Sequence, residues 1–377
     1  MKVKHASFNR VTSDSLIVRV TLSDGTEGYG EGVPRSYVTG ETIATTFEVI
    51  SSYDVAAHIG APADYRAVVR RLAALEFPGT RADPRGMFGN AARCALEMAI
   101  LDAYGRRFGQ SLGDAIRLAD VEHALLSARP TRVRYSGAIT ARSRGRELYS
   151  ALKMWSYGFR QIKIKVGLSH QDDVARLRGI RRIVGRSMDL RLDANEAWSA
   201  AELVDRVQPI ARYHPSALEQ PIPHAEVDAL AELRPRLGVP VMLDESLCGY
   251  PDAVHAIERK TADLFNVRLS KCGGILPSLR IIELAARSGI GVQLGCHPGE
   301  TGILSAAGRH FASNVRGLRY VEGSYDGHIL EQNVIREDLT FGYAGFAPPL
   351  PGPGLGVEVD RPALEALTVA RKEIRYD

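Results

Sequence analysis

The sequence has few cysteines and no paired ones. Cys94, Cys248, Cys272 and Cys296 are scattered over 377 residues, and no Cys-x-x-Cys pair occurs. Neither a disulfide framework nor a cysteine-ligated zinc site is indicated, because both need thiols in regular spacing. A reducing cytoplasm is therefore the expected location.

Long hydrophobic runs and an excess of one charge are also missing. No 18 uncharged apolar residues run together, and the first ten residues lack an apolar segment, so we expect neither a membrane span nor a secretion signal. The 48 Lys and Arg residues stand against 44 Asp and Glu, without a basic tract, which does not indicate a nucleic-acid-binding protein. With 45% apolar and 24% charged residues, the composition is that of globular domains.

Two kinds of pattern divide the chain. In residues 1–130, Ser15–Leu22 and Glu27–Gly32 predict two strands around an Asp-Gly turn, and the nearly all-apolar run Ala91–Tyr104 predicts a buried helix. From about residue 131, short apolar strands alternate with amphipathic helices, which is typical of βα units and a parallel sheet. We therefore expect an α+β unit followed by an α/β unit.

Eight strands are predicted in the second unit. Their spacing of about 25 residues fits a barrel better than an open sheet. The Gly- and Pro-rich stretch 342–359 is expected to leave the barrel and return to the first unit. The predicted strands are Val133–Ile139, Gln161–Val166, Asp189–Asp193, Ala217–Glu219, Val241–Asp244, Leu264–Leu269, Gly291–Leu294 and Leu318–Glu322.

Three acidic residues end three successive predicted strands. Asp193, Glu219 and Asp244 are spaced by 26 and 25 residues, one βα unit each. Because the carboxyl ends of neighbouring barrel strands converge on one mouth, we expect these side chains to lie together. Each acid taken singly could be a helix cap or a surface charge, but the matched set favours a shared site.

Two lysines share one face of the strand before these acids. Lys163 and Lys165 alternate with Ile162, Ile164 and Val166, so one of the two sets faces the barrel interior. An isolated Lys-x-Lys is more often a solvated edge strand. The acids on the next three strands favour an inward face for the lysines.

Carboxylates collected in one place predict a bound cation. Three like charges raise one another's pKa unless a cation joins them, and oxygen ligands without His or Cys favour Mg²⁺. Counting Lys163, Lys165 and Arg268 against the three acids leaves a charge of about +2 once Mg²⁺ is added. A small-molecule carboxylate is the natural substrate, and metal ligation would stabilise the enolate that forms from it.

This ordered set resembles the enolase superfamily, specifically the muconate-lactonizing-enzyme subgroup of the mandelate racemase/muconate lactonizing enzyme family. The resemblance covers nearly the whole chain and implies a (β/α)7β barrel, residues 131–325, with an α+β capping domain, residues 1–130. Residues 326–377 would return to the cap, and a homo-oligomer is implied. The motifs that carry the resemblance are Lys163-x-Lys165, Asp193-x-Asn195, Glu219-Gln-Pro, Asp244-Glu245, the Gly273-Gly274 turn, the helix at 90–99 and Gly30-Glu-Gly32.

The resemblance also implies residue roles. An essential Mg²⁺, with Mn²⁺ as an alternative ion, would bind Asp193, Glu219 and Asp244. Lys165 would be the acid/base for the substrate α-proton, while Lys163 would favour its neutral form and help bind the substrate carboxylate. Asn195 and Glu245 would orient the substrate or the metal ligands.

The sixth strand departs from the family pattern. Where subgroup members carry a second catalytic lysine, this chain has Arg268, which stays protonated and is a poor general base. Racemisation by two lysines is therefore not expected, whereas cycloisomerisation or syn elimination needs Lys165 alone. Arg268 could equally be the paired cation of a barrel carboxylate. Lys271 would face outward on a regular strand, unless a bend at the strand end brings it in.

The last two strands carry three further candidates. His297, within the run Leu294–Thr301, could act as a second base because imidazole titrates near neutrality, although a lone loop histidine is more often a surface or substrate contact. Glu300 matches the Glu-Ser/Thr ending common in the family. Dipeptide epimerases of the subgroup bind a substrate ammonium through Asp-x-Asp after the eighth strand, where Glu322 with Ser324 supplies only one acid.

In the first unit, the run Gly32–Glu41 resembles the family's mobile specificity loop. Arg35 and Tyr37 are candidates for a substrate contact, or else are solvent-exposed loop residues.

Three hypotheses follow for the function. The leading one is a Mg²⁺-dependent enzyme that moves the proton α to a carboxylate through an enolate, with cycloisomerase-like or lyase-type chemistry because of Arg268. The alternative is a racemase or epimerase of an N-acylated amino acid, dipeptide or related carboxylate, with His297 or Lys271 as second base. The third is a barrel that binds a carboxylate without turnover. No nucleic-acid or membrane partner is expected.

Overall fold

The N-terminal region begins with short antiparallel strands. The computed structural model describes residues 3–4, 9–10, 13–77, 89–140, 143–168 and 171–376. Strand β1 (Val3–Lys4) pairs with β2 (Asn9–Arg10), and β3 (Leu16–Thr21) forms a hairpin with β4 (Glu27–Gly32). The predicted hairpin is thus confirmed.

Helices follow the hairpin. The longest, α4, is almost wholly buried, as its nearly all-apolar sequence predicts, and left-handed glycines flank it at Gly89 and Gly109. In the described part of this region the helices are α1 (Ile43–Ser51), α2 (Val55–Ile59), α3 (Tyr65–Ala73), α4 (Asn90–Phe108) and α5 (Leu112–Leu118).

Helix α4 lies directly against strand β4. Gly28, Gly30 and Gly32 occupy one face of this strand, and a Cβ atom at any of them would overlap the backbone of α4. The alternating glycines therefore allow a helix and a strand to approach more closely than side chains would permit.

Eight parallel strands form the second region. In the order of the sheet, each pairs with its neighbour along the chain, so the sheet is curled rather than doubly wound. The backbone N–H of Ser136 donates to Val321 O at 2.8 Å, which joins the last strand to the segment before the first. The strands are β6 (Gly137–Ile139), β7 (Gln161–Lys165), β8 (Asp189–Asp193), β9 (Ala217–Glu219), β10 (Val241–Leu243), β11 (Leu264–Val267), β12 (Gly291–Leu294) and β13 (Leu318–Val321).

Helices connect these strands, as the predicted α/β class requires. They are α6 (Arg144–Ser156), α7 (Asp173–Val184), α8 (Leu203–Ala211), α9 (Leu230–Leu237), α10 (Tyr250–Arg259), α11 (Ile275–Arg287) and α12 (Gly302–Asn314), followed by α13 (Asp326–Ile329) and α14 (Arg361–Leu367). Short 3₁₀ turns occupy His123–Leu125, His224–Ala229 and Tyr343–Gly345. No helix in the described ranges has both the length and the apolarity that crossing a membrane would need.

One predicted strand was wrong in extent. The run Val133–Ile139 is split, because β5 (Val133–Arg134) pairs antiparallel with β14 (Phe346–Ala347) and only β6 joins the eight-stranded sheet. The partner lies far along the chain, so local periodicity could not indicate the break. Three other predictions match to the residue, and the remaining four overrun the strand end by one or two positions.

The segment after the sheet contacts two helices of the N-terminal region. Gly354 O accepts a hydrogen bond from Leu112 N at 2.8 Å, and Leu355 N donates to the carboxylate of Asp102 in α4 at the same distance. These bonds connect the C-terminal segment to α4 and α5.

The glycine contact between β4 and α4 is testable. We expect Gly30→Ala to lower the free energy of unfolding by about 1–3 kcal/mol or more, because the added methyl group overlaps helix backbone that cannot move independently. Denaturant unfolding measures the change. Gly145→Ala is the matched control, since nothing lies within 4 Å of its Cβ position. Equal stability of Gly30→Ala and wild type would contradict the packing.

Candidate active site

The site is built on one face of strands β7 to β9. Ile162 and Ile164 are buried, whereas Lys163 and Lys165 are half-buried on the other face of β7. In the ladder, Lys165 is paired with Asp193, and Asp193 with Glu219. Register-paired residues of parallel strands share a face, so this ammonium and two carboxylates lie side by side at the carboxyl ends of their strands.

Lys163 joins carboxylates from three strands. Its Nζ lies 3.5 Å from Asp193 Oδ2, 3.6 Å from Glu219 Oε1 and 2.9 Å from Glu322 Oε2. Burial alone would lower the pKa of Lys163, but the three carboxylates outweigh it and raise the pKa above its usual value. Lys163 is therefore a fixed positive charge rather than a base.

Asp244 is held by two cations from the segment after β11. Arg268 donates to its carboxylate, and Lys271 Nζ donates to Asp244 Oδ1 at 2.8 Å and to Asp244 O at 2.6 Å. Burial would raise the pKa of Asp244, but Arg268 and Lys271 lower it below its usual value. Asp244 is thus ionised at neutral pH.

Lys271 is brought inward by the chain. Strand β11 ends at Val267, so the regular alternation that would point Lys271 outward stops before it, and its side chain is wholly buried. Although burial lowers its pKa, Asp244 raises it further, and Lys271 stays protonated. Its ammonium group donates to three buried oxygens and has no free lone pair with which to accept a proton. Lys271 is therefore unsuitable as a base.

Arg268 lies between two of the three predicted metal ligands. Its Nη2 contacts Asp244 Oδ2 and is 3.7 Å from Glu219 Oε1. Of the two interpretations left open by the sequence, the geometry matches the paired cation of a barrel carboxylate. The permanent charge of a guanidinium also fits stabilisation of an anion better than proton transfer.

The predicted metal ligands are present but are paired with side-chain cations. Within the described ranges, no three His, Cys, Asp or Glu side chains form a group arranged to hold a metal ion. The donor types and the shared face nevertheless fit Mg²⁺, and Glu219 Oε2 is buried without a partner among the described residues. Burial, with Asp193 and Glu322 nearby, raises the pKa of Glu219 to about 8, as expected of a carboxylate that lacks a sufficient cation.

Asn195 connects Lys165 to Glu245. Lys165 donates to Asn195 Oδ1, and Asn195 Nδ2 donates to Glu245 Oε1 at 3.3 Å. The backbone of Asn195 is left-handed, with φ of 44°, which turns its side chain back towards the strand ends. This contact orients the Lys165 ammonium.

His297 is buried next to the basic residues of the site. Burial, together with Arg268, Arg35 and Lys271, lowers the pKa of His297 well below its usual value. The imidazole is therefore neutral at pH 7. Glu300 fixes the loop, since its Oε2 accepts the His297 backbone N–H at 2.9 Å. A small cavity beside His297 is bordered by residues that include Glu300 and Glu322.

The negative charge of Glu322 is balanced by two cationic side chains. Its two oxygens accept from Lys163 at 2.9 Å and from Arg191 at 2.5 Å. Ser324, the other residue of the motif, accepts a hydrogen bond from Arg309 at 2.8 Å. The pair therefore does not offer an open acidic site for an ammonium group.

The two candidates in the N-terminal loop are not solvent-exposed. Arg35 is 3% exposed and donates to Ser13 Oγ at 2.7 Å and to Pro298 O at 3.3 Å, so it ties the N-terminal loop to the His297 loop. Tyr37 is half-buried beside Val38. A substrate contact of either side chain stays a prediction.

Sequence reasoning missed Arg191 and Asn266. Arg191 contacts Glu322, and Asn266 Nδ2 donates to Glu219 Oε1 at 2.8 Å. Strand alternation could have found both, because Arg191 lies two residues before Asp193 and Asn266 two before Arg268. With five cations and five carboxylates the site is formally neutral, and a divalent cation would again leave about +2. The members are Lys163, Lys165, Arg191, Arg268, Lys271, Asp193, Glu219, Asp244, Glu245 and Glu322.

Two family models match the chain. The mandelate racemase/muconate lactonizing enzyme N-terminal domain matches residues 2–116, and the enolase C-terminal domain-like model matches residues 148–363. The chain belongs to the mandelate racemase/muconate lactonizing enzyme family. This is the family that the sequence motifs resembled.

Relatives of this family member include both epimerases and a cycloisomerase. A hydrophobic dipeptide epimerase of Enterococcus faecalis is 29% identical over 354 residues, 94% of this chain and 89% of the relative. Muconate cycloisomerase 1 of Rhodococcus opacus is 29% identical over 379 residues, 97% and 94% of the two chains. The structure of a dipeptide epimerase from Enterococcus faecalis complexed with Mg and the dipeptide L-Leu-L-Tyr superposes with a TM-score of 0.79 at 26% identity, over 95% of each chain.

Membership of the mandelate racemase/muconate lactonizing enzyme family makes the chain an isomerase-type enzyme of the enolase superfamily. Several of its relatives are epimerases or racemases of dipeptides and acylated amino acids. They support the racemase or epimerase alternative better than the cycloisomerase or lyase chemistry that we expected to lead.

Glu300 predicts a pH dependence of stability. Burial, with Glu31 and Asp326 nearby, raises its pKa from 4.5 to about 8. The folded state therefore holds a proton that the unfolded chain releases, so this stabilisation is complete below about pH 4.5 and is lost as the pH rises towards 8. We expect wild type to lose up to about 1.4 kcal/mol per pH unit from this group, and Glu300→Gln to lose less.

Denaturant unfolding at about pH 5, 6 and 7 measures these slopes. Glu258→Gln, which removes an exposed carboxylate from helix α10, is the control and should follow wild type. Identical slopes for Glu300→Gln and wild type would contradict the buried proton.

Proposed function

We propose that this enzyme is a Mg²⁺-dependent racemase or epimerase of an N-acylated amino acid, dipeptide or related carboxylate. The observation that carries the proposal is the position of the buried His297 imidazole in the loop after β12, because Lys165 likewise lies at the carboxyl end of its strand, β7. Racemisation needs a group on each face of the substrate α-carbon, one to remove the proton and one to return it. The epimerase relatives support the same reaction class.

Lys165 is the proposed acid/base on the first face. It ends β7 beside Asp193, and its contact with Asn195 fixes the Nζ atom at the strand ends. A substrate carboxylate bound beside Lys163 and Arg268 would present its α-carbon to this group. Proton removal by neutral Lys165 then leaves the negative charge close to fixed cations.

His297 is the proposed group on the second face. Its loop follows β12, which is separated from β7 by four strands in the order of the sheet, and the Glu300 contact holds the loop in place. The other two candidates are unsuitable, because Arg268 and Lys271 are both bound to Asp244 and keep their protons. His297 is therefore the second base that this geometry favours.

Asp193, Glu219 and Asp244 are the proposed ligands of Mg²⁺, with Mn²⁺ as an alternative ion. When bound, the ion would supply positive charge to the substrate carboxylate as its α-carbon loses the proton. The unpartnered oxygen of Glu219 supports this assignment. Arg268, which contacts Asp244 and Glu219, would compete with the ion for the same oxygens.

The proposed architecture assigns the parts of the chain to this chemistry. Residues 131–325 would form the closed (β/α)7β barrel with the site at its mouth, and residues 1–130 the cap. Residues 326–377 would fasten the cap to the barrel. The bond from Ser136 to Val321 and the contact of Arg35 with Pro298 support this division.

Cycloisomerisation or elimination is the second candidate. Arg268 favours this chemistry, because its permanently charged guanidinium can stabilise an anion but cannot act as the second base that a two-lysine mechanism needs. The cycloisomerase relative belongs to the same family and supports such a reaction. A barrel that binds a carboxylate without turnover has no supporting observation beyond Arg268.

Deuterium exchange separates the candidates. The substrates are N-acylated amino acids and dipeptides dissolved in D₂O, and NMR measures the exchange of their α-hydrogen for deuterium. We expect the wild-type enzyme to exchange the α-hydrogen of both stereoisomers. Lys165→Ala should lose exchange of one stereoisomer and His297→Asn that of the other, each by about 10³-fold, because each base serves one face. Lys153→Ala, an exposed lysine on α6, is the control.

Two outcomes would contradict the racemase proposal. Undiminished exchange of both stereoisomers by His297→Asn would remove His297 as second base. Retention of configuration with a lactone or alkene product would favour the second candidate, and turnover unaffected by Lys165→Ala would overturn both.

Metal dependence is tested by chelation and by Arg268. We expect EDTA to abolish activity and Mg²⁺ to restore it. The substitution Arg268→Met removes the competing guanidinium and should tighten Mn²⁺ binding by about tenfold, as measured by calorimetry. The control is Arg236→Met, which changes an exposed arginine on helix α9 and should leave Mn²⁺ binding unchanged. Full activity after chelation would contradict the ligand set, and weaker Mn²⁺ binding by Arg268→Met would contradict the competition.

A further inference from the structure

A second cavity, which is lined by basic residues, lies at the opposite end of the sheet from the carboxylates. It has a volume of about 490 Å³ and is bordered by β5, by the amino end of β7 and by β13 with the residues before it. Strand β7 begins at Gln161 on this cavity and ends at Lys165 in the proposed active site. The two sites are thus separated by the length of the strands.

Five arginines line this cavity, and no acidic residue does. They are Arg132, Arg134, Arg160, Arg316 and Arg319. None of them forms an ion pair with a carboxylate in the part of the chain that the structure describes. The distinct feature is that five arginines border one concavity whose lining contains no acidic side chain.

Several of these side chains are held in place. Arg132 and Arg134 both lie over the ring of Phe346, at 4.6 and 5.0 Å from its centre. Arg134 also donates to the carbonyls of Ala344 and Gly158 at 3.4 Å. Cation–π contacts keep a guanidinium charged and leave its edge available for an anion. An anion would therefore meet partly preorganised donors.

The electrostatics favour an anionic occupant. Burial and the charge of Arg160 lower the pKa of Arg134, so these two guanidinium groups lie close enough to repel each other. A concavity lined by one sign of charge raises the local concentration of counter-ions. A guanidinium group can donate two parallel hydrogen bonds to a phosphate or a carboxylate, whereas an ammonium group acts as a single point charge.

The size and surroundings indicate a small ligand rather than a polymer. The volume lies within the range of about 300–1,000 Å³ that small-molecule sites occupy. The net charge of the whole chain is only +4, which is not typical of a protein that binds nucleic acid.

We propose that the arginine-lined cavity at the amino ends of β7 and β13 is a binding site for a small, multiply charged phosphate-bearing anion. The site is independent of the proposed isomerase reaction. The ligand would be held by the guanidinium groups and would neutralise their mutual repulsion.

Calorimetric titration of the full chain with pyrophosphate in metal-free buffer tests this site. We expect saturable binding of one pyrophosphate per chain. The double variant Arg316→Gln/Arg319→Gln removes two exposed cavity arginines and should weaken binding by at least about tenfold. Its melting temperature, measured in parallel, establishes that the variant is folded.

The control removes the same charge elsewhere. Arg212→Gln/Arg236→Gln changes two exposed arginines outside the cavity, one of which also lies over a tyrosine ring, as Arg319 does. We expect it to bind pyrophosphate like wild type. Equal weakening in both variants would overturn the proposal, because net charge alone would then explain binding.

Three further results would overturn the proposal. One is the absence of saturable binding up to about 10 mM pyrophosphate. Another is unchanged affinity in the cavity variant, which would assign the pyrophosphate to a different site. The third is tighter binding of citrate than of pyrophosphate, which would mean that the cavity recognises carboxylates and not phosphate groups.

Discussion

The site depends on one half-buried ammonium group, that of Lys163, which holds three carboxylates together. Lys163 contacts Asp193 at the end of β8, Glu219 at the end of β9 and Glu322 just after β13. Without a cation, these acids would repel one another in a region from which water is largely excluded. Lys163 therefore allows the carboxylates at the ends of these strands to lie close together.

The cations after β11 limit which groups can move a proton. Arg268 and Lys271 both bind Asp244, so the sixth strand of the sheet contributes fixed positive charge and no proton acceptor. In the proposed reaction, proton transfer consequently falls to Lys165 and His297. Burial and the nearby cations keep the imidazole neutral, and Lys165 Nζ contacts the side-chain amide of Asn195.

The N-terminal unit is bonded to the loops that carry these residues. Glu31, at the end of the hairpin, accepts hydrogen bonds from Thr301 N at 2.9 Å and Leu304 N at 3.1 Å, at the start of α12. Glu97 of α4 accepts from Ile275 N at 2.6 Å, at the start of α11. Buried carboxylates at helix amino termini are stabilised by the free N–H groups and the helix dipole. The same contacts fix the loops after β11 and β12.

Local patterns were enough to predict the α/β class, most strand positions and the shared face of Lys163 and Lys165, because strand periodicity and βα spacing are properties of neighbouring residues. The inward position of Lys271, the contact of Arg268 with two acids and the pairing of β5 with β14 depend instead on partners far along the chain. The burial and neutrality of His297 likewise became evident only from the folded chain. The physical reason is that an ion pair or a pKa depends on burial and on charges brought close in space, whereas a sequence pattern records only which residues share a strand face.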